Sequence, residues 1–216
     1  MYSQQSNIDE EVNKLLSRMS LEEKVGQMAQ ITLDVVCKGN DRYSSFEPAE
    51  LDMDILRDAV TRYHVGSVLN TANNRARTVD FWAQTIGKIQ DVAMKETRLG
   101  VPVIYGIDAI HGVTYTAGAT IFPHELALAA TWEPSFGRKL AEVTAYETRA
   151  SSIPWNFSPV LDLGADPRYS RIGEGMGEDP YLIAQFGKEM IKGYEGDDNN
   201  IGDPYKVASC MKHFLG

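Results

Sequence analysis

Apolar residues recur along this chain with two spacings, and the two spacings alternate from one segment to the next. Positions three and four apart predict amphipathic helices, whereas short apolar runs between polar turns predict buried strands. Helical spacing occurs at 8–19, 52–64, 78–97, 133–151 and 181–194, and strand-like runs occur within 25–33, 65–69, 99–107, 155–163 and 207–214. A further helix is predicted to begin after Ser20, where Ser-Leu-Glu-Glu has the pattern of a capping box.

The alternation of helices and strands is typical of an α/β protein with a parallel sheet. Two layouts agree with it, an open doubly wound sheet and a β/α barrel. No Gly-x-Gly-x-x-Gly motif follows a predicted strand, which removes the main signal of the dinucleotide-binding layout. About five strands in 216 residues, against eight in roughly 250 for a complete barrel, predict an incomplete (β/α)8 TIM-type barrel without an internal domain boundary.

The chain is acidic, with a net charge of -9. This charge disfavours nucleic acid and anionic membrane surfaces as partners, and no apolar run reaches the ~18 residues of a membrane span. Cys37 and Cys210 have no Cys-x-x-Cys partner, and they are predicted to be buried free thiols rather than a disulfide. No group of histidine, cysteine and carboxylate residues has the spacing of metal ligands, so neither a metal nor a cofactor is predicted.

Charged residues gather directly after three of the predicted strands, where barrel enzymes place their active sites. They are Asp108 and His111 after the run at 99–107, the segment 166–180 after the run at 155–163, and Lys212 with His213 in the last run. This clustering predicts a ligand site at the carboxyl ends of the strands.

Plainer interpretations exist for each of these residues. Asp108 fits an ordinary turn, His111 fits a structural histidine, and Arg171 with Glu174 fits a surface ion pair. Lys212 is harder to explain in this way, because lysine is rarely buried in an apolar run without a partner or a function.

Four segments carry a more specific signal, since they occur together and in a set order. They are MSLEEKVGQM at 19–28, GIDAIHG at 106–112, DPRYSRIGEGMGEDP at 166–180 and KHFLG at 212–216. The chain resembles glycoside hydrolase family 3 through these segments, from about residue 10 to residue 216. Tyr169-Ser170 replaces the Trp-Gly common in that family, and Leu215 favours its β-glucosidase branch over its N-acetylglucosaminidase branch.

The resemblance implies that residues 1–216 are the N-terminal portion of the family's barrel domain, in a retaining, exo-acting β-glucosidase-like enzyme. Such an enzyme removes a terminal non-reducing β-linked glucose, or xylose, from an oligosaccharide or β-glucoside. The implied sugar-binding residues are Asp108 as hydrogen-bond acceptor, and Arg171, Lys212 and His213 as donors.

The remaining roles also follow from the resemblance. Glu174 is expected to orient Arg171 or Lys212, and His111 is expected to be a pocket or supporting residue. In the family the nucleophilic Asp lies on a later strand and the acid/base Glu in a following domain. This chain by itself is therefore expected to carry no catalytic residue and to be inactive.

Two other functions are compatible with parts of the sequence. A half-barrel exposes a strand edge and an apolar face, which would suit a non-catalytic binding or assembly module that self-associates or pairs with the missing part of the barrel. An unrelated phosphate-binding barrel is the other alternative. Residues 1–7 lack a signal-peptide core, so a cytoplasmic location stays open, as does a periplasmic or extracellular one after removal of a signal peptide.

Overall fold

The structure, a computed structural model, describes residues 2–198 and 200–213, which form an α/β fold with a parallel sheet. The described residues fall into two compact units. Unit 1 lies within Met1–Val68 and Gly87–Val103, and unit 2 lies within Leu69–Ile86 and Ile104–Gly216. Asn199 and residues 214–216 lie outside the described residues, so the predictions for Leu215 and for the end of the last strand are not addressed.

Seven α-helices and four regular strands are present among the described residues. The helices are α1 Tyr2–Arg18, α2 Leu21–Gln27, α3 Met53–Arg57, α4 Val79–Glu96, α5 Glu125–Ala129, α6 Pro134–Ala150 and α7 Pro180–Glu195. The strands are β1 Gln30–Thr32, β2 Ser67–Leu69, β3 Ile104–Ile107 and β4 Trp155–Asn156. None of the described helices has the length and apolar character that crossing a membrane requires.

Side-chain caps explain where several helices begin. The Ser20 hydroxyl accepts the Glu23 N–H (3.2 Å), and the Glu23 carboxylate accepts the Ser20 N–H (2.8 Å). This reciprocal pair satisfies two N–H groups that the helix leaves unpaired, and it confirms the predicted capping box. At α7, Asp179 caps the helix and Pro180 occupies its first position, where a missing N–H costs nothing.

In unit 1 the segment that leads into β2 lies against the end of α2 and the start of β1. The Gly66 N–H donates to Gly26 O (3.0 Å), and the Ser67 N–H donates to Ala29 O (3.2 Å). A Cβ on Gly66 would lie 2.2 Å from Gln27 O, so only glycine allows this approach. The helix predicted at 52–64 begins as α3 and continues as a π-helical turn over Asp58–Arg62.

In unit 2 the sheet is parallel, with Gly106 of β3 opposite Trp155 of β4. The apolar runs predicted as strands at 155–163 and 207–214 contain far fewer residues in regular β-strand than expected. Isolated parallel bridges join them, Trp155 with Ala208 and Val160 with Lys212, and the Cys210 N–H donates to Ser158 O (3.0 Å) between these bridges. Pro159 interrupts the first run, because proline cannot donate a main-chain hydrogen bond to a ladder.

The core of unit 2 forms where α5, α6 and α7 pack together. Its buried side chains include Leu128, Leu140, Phe186, Met190 and Tyr194. Helix α5 was not predicted, since five residues are too short to show a helical period. Neither Cys37 nor Cys210 forms a disulfide, as predicted; Cys37 is buried, whereas Cys210 is only half-buried rather than buried as expected.

Candidate functional site

Asp108 lies directly after β3 and is held by the Asn70 side chain. Asn70 Nδ2 donates to Asp108 Oδ2 (2.8 Å), and Asn70 Oδ1 accepts the Asp108 N–H (2.9 Å). Asn70 has a left-handed backbone (φ 57), which asparagine tolerates better than most residues. Its own main chain is tied to β3, through Gly106 O (3.0 Å) and the Tyr105 hydroxyl (2.6 Å). Asn70 therefore orients the Asp108 carboxylate.

Asn156, at the end of β4, secures the neighbouring main chain in the same way. Its fully buried side chain accepts the Ala109 N–H (3.0 Å) and donates to Ala109 O (3.2 Å). Sequence reasoning missed both asparagines. The available signal was an asparagine within or directly after an apolar run, where a buried amide needs hydrogen-bond partners.

Lys212 reaches the Asp108 carboxylate from the last segment of the chain. Its Nζ lies 2.5 Å from Asp108 Oδ1, and the two side chains are 11% and 34% exposed. The Lys212 N–H donates to Pro159 O (3.2 Å), and the Lys212 carbonyl accepts the Leu161 N–H (2.8 Å). An ammonium group with so little exposure requires a partner, and Asp108 provides it.

His213 is held by Asp162 through both its main chain and its ring. The His213 N–H donates to Asp162 Oδ1 (2.7 Å), and ring Nδ1 lies 2.6 Å from Asp162 Oδ2. The Tyr169 hydroxyl also donates to Oδ2 (2.8 Å). Burial by itself raises the pKa of the Asp162 carboxyl, but the hydrogen bonds from His213 and Tyr169 outweigh it, so that the pKa lies below its ordinary value.

Arg171 and Glu174 form a bidentate ion pair on the short 3-10 turn Ile172–Glu174. Arg171 Nε and Nη2 donate to the two Glu174 oxygens at 2.8 and 2.7 Å. The hydrogen bond from Arg171 is the largest cause of the lowered pKa of Glu174, and the charges of Lys212 and His213 lower this pKa further. The pair therefore lies within electrostatic range of Lys212 and His213, and the hydrogen-bond partner of Glu174 is Arg171 rather than Lys212.

His111 lies beside His124 and forms no hydrogen bond with Asp108 among the contacts of the described residues. The two imidazole ring centres are 4.6 Å apart. His111 Nδ1 is buried without a hydrogen-bond partner, and the pKa of His111 is lowered by burial and by the charge of His124.

Glu125 is a buried carboxyl group that the sequence did not single out. It is 2% exposed, and among the described residues it accepts one long hydrogen bond, from the Val160 N–H to Oε1 (3.4 Å). Oε2 has no hydrogen-bond partner. Burial raises the pKa of Glu125 to about 8, so this side chain is a neutral acid at neutral pH. Val160 lies opposite Lys212, which links Glu125 to the charged site through the main chain.

These features define an α/β protein with a parallel sheet that gathers charged groups beyond its strand ends, the arrangement in which such folds bind small molecules. Within residues 2–198 and 200–213 no group of three or more His, Cys, Asp and Glu side chains could hold a metal ion. The chain belongs to glycosyl hydrolase family 3. The family's sequence model, described as the Glycosyl hydrolase family 3 N terminal domain, matches residues 20–216 and confirms the resemblance.

Individual relatives agree with this assignment. The lysosomal beta glucosidase of Dictyostelium discoideum is 33% identical over 215 residues, which cover 95% of this chain and 25% of that protein. A beta-xylosidase of Formosa agariphila is 37% identical over 138 residues, 62% of this chain and 19% of that protein. The structure of the beta-glucosidase from Listeria innocua in complex with glucose has a TM-score of 0.71 and 35% identity, and covers 95% of this chain and 26% of that one. The chain thus spans about a quarter or less of these proteins.

Proposed function

We propose that this chain supplies the sugar-binding part of subsite −1 of a retaining, exo-acting β-glucosidase that removes a terminal β-linked glucose or xylose from oligosaccharides. In this proposal residues 1–216 are the N-terminal portion of an incomplete (β/α)8 barrel domain. Relatives named as a beta glucosidase and a beta-xylosidase support the substrate class. The contact between Asp108 and Lys212 beyond the strand ends carries the proposal.

The Asp108 carboxylate has the free capacity that a pair of sugar hydroxyls needs. Each of its oxygens has one partner, Lys212 on Oδ1 and Asn70 on Oδ2. An ionised carboxylate offers about four lone-pair sites, so that one remains on each oxygen. Two adjacent hydroxyl groups of a pyranose can donate to these sites together, and the 34% exposure of Asp108 leaves them accessible.

Lys212 and Arg171 supply the complementary donors. Lys212 uses one of its three N–H groups for Asp108, and Arg171 uses Nε and Nη2 for Glu174, which leaves Nη1 free of Glu174. Hydrogen bonds from charged donors are short and strong, and they depend on the position of each hydroxyl. Such a site would distinguish sugars by the orientation of single hydroxyl groups. His213 completes the proposed set of sugar ligands, with His111 as a supporting residue.

The cleaving carboxyl groups are assigned to parts of the enzyme other than residues 1–216. A retaining glycosidase needs two carboxyl groups about 5–5.5 Å apart, one as nucleophile and one as acid/base. Asp162 is engaged by three hydrogen bonds and Glu174 is engaged by Arg171. Neither has the freedom of a nucleophile or proton donor.

Saturation-transfer NMR with D-glucose, D-xylose and D-galactose tests the proposal on the 216-residue chain. We expect transfer to glucose or xylose that exceeds transfer to galactose, and a loss of about tenfold in affinity for Asp108→Asn. Asp166→Asn is the matched control, since Asp166 is an exposed aspartate that pairs with Arg168. Equal binding by Asp108→Asn and the wild type, or the absence of any difference between the sugars, would contradict the proposal.

A further inference from the structure

The environment of His213 places a proton on ring nitrogen Nδ1. The Asp162 carboxylate is 2% exposed and, because its pKa is lowered, ionised at neutral pH. An ionised carboxylate only accepts hydrogen bonds. The 2.6 Å contact between His213 Nδ1 and Asp162 Oδ2 therefore requires a proton on Nδ1. Tyr169 reinforces this arrangement, because its hydroxyl donates to the same oxygen.

We propose that Asp162 and Tyr169 are positioning residues that fix the His213 ring with a protonated Nδ1 on the Asp162 carboxylate, so that Nε2 is the ring nitrogen presented to a substrate hydroxyl. The His213 side chain is 31% exposed, and no described residue forms a hydrogen bond with Nε2. This inference rests on the proposed function only for the identity of the ligand.

The geometry also predicts what an amide in place of Asp162 would do. The His213 main-chain N–H can only donate, so the position of Oδ1 must remain a carbonyl oxygen. The NH₂ group of an Asp162→Asn side chain would then occupy the position of Oδ2 and donate to Nδ1. A ring nitrogen that accepts a hydrogen bond cannot carry a proton, so the proton would move to Nε2.

Nitrogen-15 NMR of the histidine side chains tests the proposal, because protonated and unprotonated ring nitrogens have well-separated chemical shifts. The chain contains four histidines, and His213→Gln identifies the signals of His213. We expect Nδ1 of His213 to carry a proton in the wild type and to lose it in Asp162→Asn. A wild type in which Nδ1 of His213 carries no proton would overturn the proposal, and this result does not depend on whether a variant folds.

A glucose titration of the same samples separates this inference from the proposed function. We expect Asp162→Asn to weaken glucose binding by about tenfold, a typical effect of removing the group that orients a histidine ligand. Glucose binding that is unchanged in an Asp162→Asn protein whose Nδ1 has lost its proton would contradict the positioning role of Asp162. If Nδ1 of His213 carries the expected proton but the wild type does not bind glucose, the proposed function is contradicted. The positioning of His213 by Asp162 and Tyr169 would still hold.

Discussion

At the residue scale, Glu125 shows how strongly burial can change a side chain below the candidate site. Its carboxyl group is almost fully removed from water, and the ionised form loses hydration that one long hydrogen bond from Val160 does not replace. The charge of Lys212 lowers its pKa, whereas those of Glu174 and Asp162 raise it, and burial dominates. The result is a protonated acid whose ionisation must oppose folding.

Glu125→Gln is predicted to remove a pH dependence of stability. The pKa rises from 4.5 in the unfolded chain to about 8 in the folded one, so the folded chain keeps a proton that the unfolded chain releases. The free energy of unfolding therefore falls as pH rises from about 5 to about 8, by on the order of 5 kcal/mol as an upper limit. The glutamine variant cannot ionise and should lose most of this decline.

Urea unfolding at both ends of this pH range measures the effect. Glu178→Gln is a suitable control, since Glu178 is an exposed glutamate and its substitution should leave the pH profile unchanged. A Glu125→Gln variant whose stability falls with pH as steeply as that of the wild type would show that Glu125 is ionised in the folded chain.

The positions of the charged residues were predictable from the sequence, but their partners were not. Asp108 and Lys212 follow or end apolar runs, and the rule that strand ends form sites was enough to single them out. Asp108 and Lys212, which pair directly, are 104 residues apart in the sequence. Asp162 and His213, which are hydrogen-bonded, are 51 residues apart. Contacts at that separation depend on the packing of the whole unit, and no local pattern encodes them.

At the scale of elements, the α6–α7 pair depends on a glycine at the contact between the helices. A Cβ on Gly193 would lie 2.5 Å from the Cβ of Ala141 and 2.5 Å from Arg138 O. Real Cβ atoms do not approach other atoms so closely, so α6 and α7 would have to separate. Gly87 in α4, by contrast, has no neighbouring atom within 4 Å of a built Cβ.

Gly193→Ala and Gly87→Ala are therefore predicted to change stability in opposite directions. Gly193→Ala should lower the free energy of unfolding by about 1–3 kcal/mol through overpacking. Gly87→Ala should raise it by up to about 1 kcal/mol, because alanine has the higher helix propensity. Thermal or urea unfolding of both variants checks this, and a neutral Gly193→Ala would mean that the two helices can adjust.

The helices were predicted more accurately than the strands for a physical reason. Helices α4 and α6 agree with the predicted ranges to within a residue or so, because their apolar period extends over many residues. Around β4 a long apolar run contains only two residues of regular strand. An apolar run in the sequence indicates that the segment is buried. It does not show whether the buried segment is a regular β-strand or an irregular one.

At the scale of the whole molecule, the chain combines a parallel sheet with a charged site but spans only about a quarter of its relatives' length. In the proposed enzyme, binding and bond cleavage are divided between this portion and the rest. The 216-residue chain should therefore not hydrolyse an aryl β-glucoside. A chromogenic assay checks this. Turnover by the wild-type chain above the buffer control, if Asp108→Asn abolishes it, would contradict the division of binding and bond cleavage between this portion and the rest of the enzyme.

Size-exclusion chromatography addresses the alternative of a half-barrel assembly module. An unpaired apolar face favours association, whereas a portion that only binds sugar has no need of a partner copy. A folded monomer at all concentrations would argue against obligatory pairing. Dimers that persist on dilution and fail to bind glucose would favour the assembly module.

The most direct test of the sugar site is an amide chemical-shift map of the nitrogen-15-labelled chain during a glucose titration. We predict that the largest changes fall at Asp108, Lys212, His213 and Arg171, and that the glucose concentration at the midpoint of the titration rises about tenfold in Asp108→Asn but is unchanged in Asp166→Asn. Shifts confined to other parts of the chain, or an unchanged midpoint in Asp108→Asn, would contradict the sugar site.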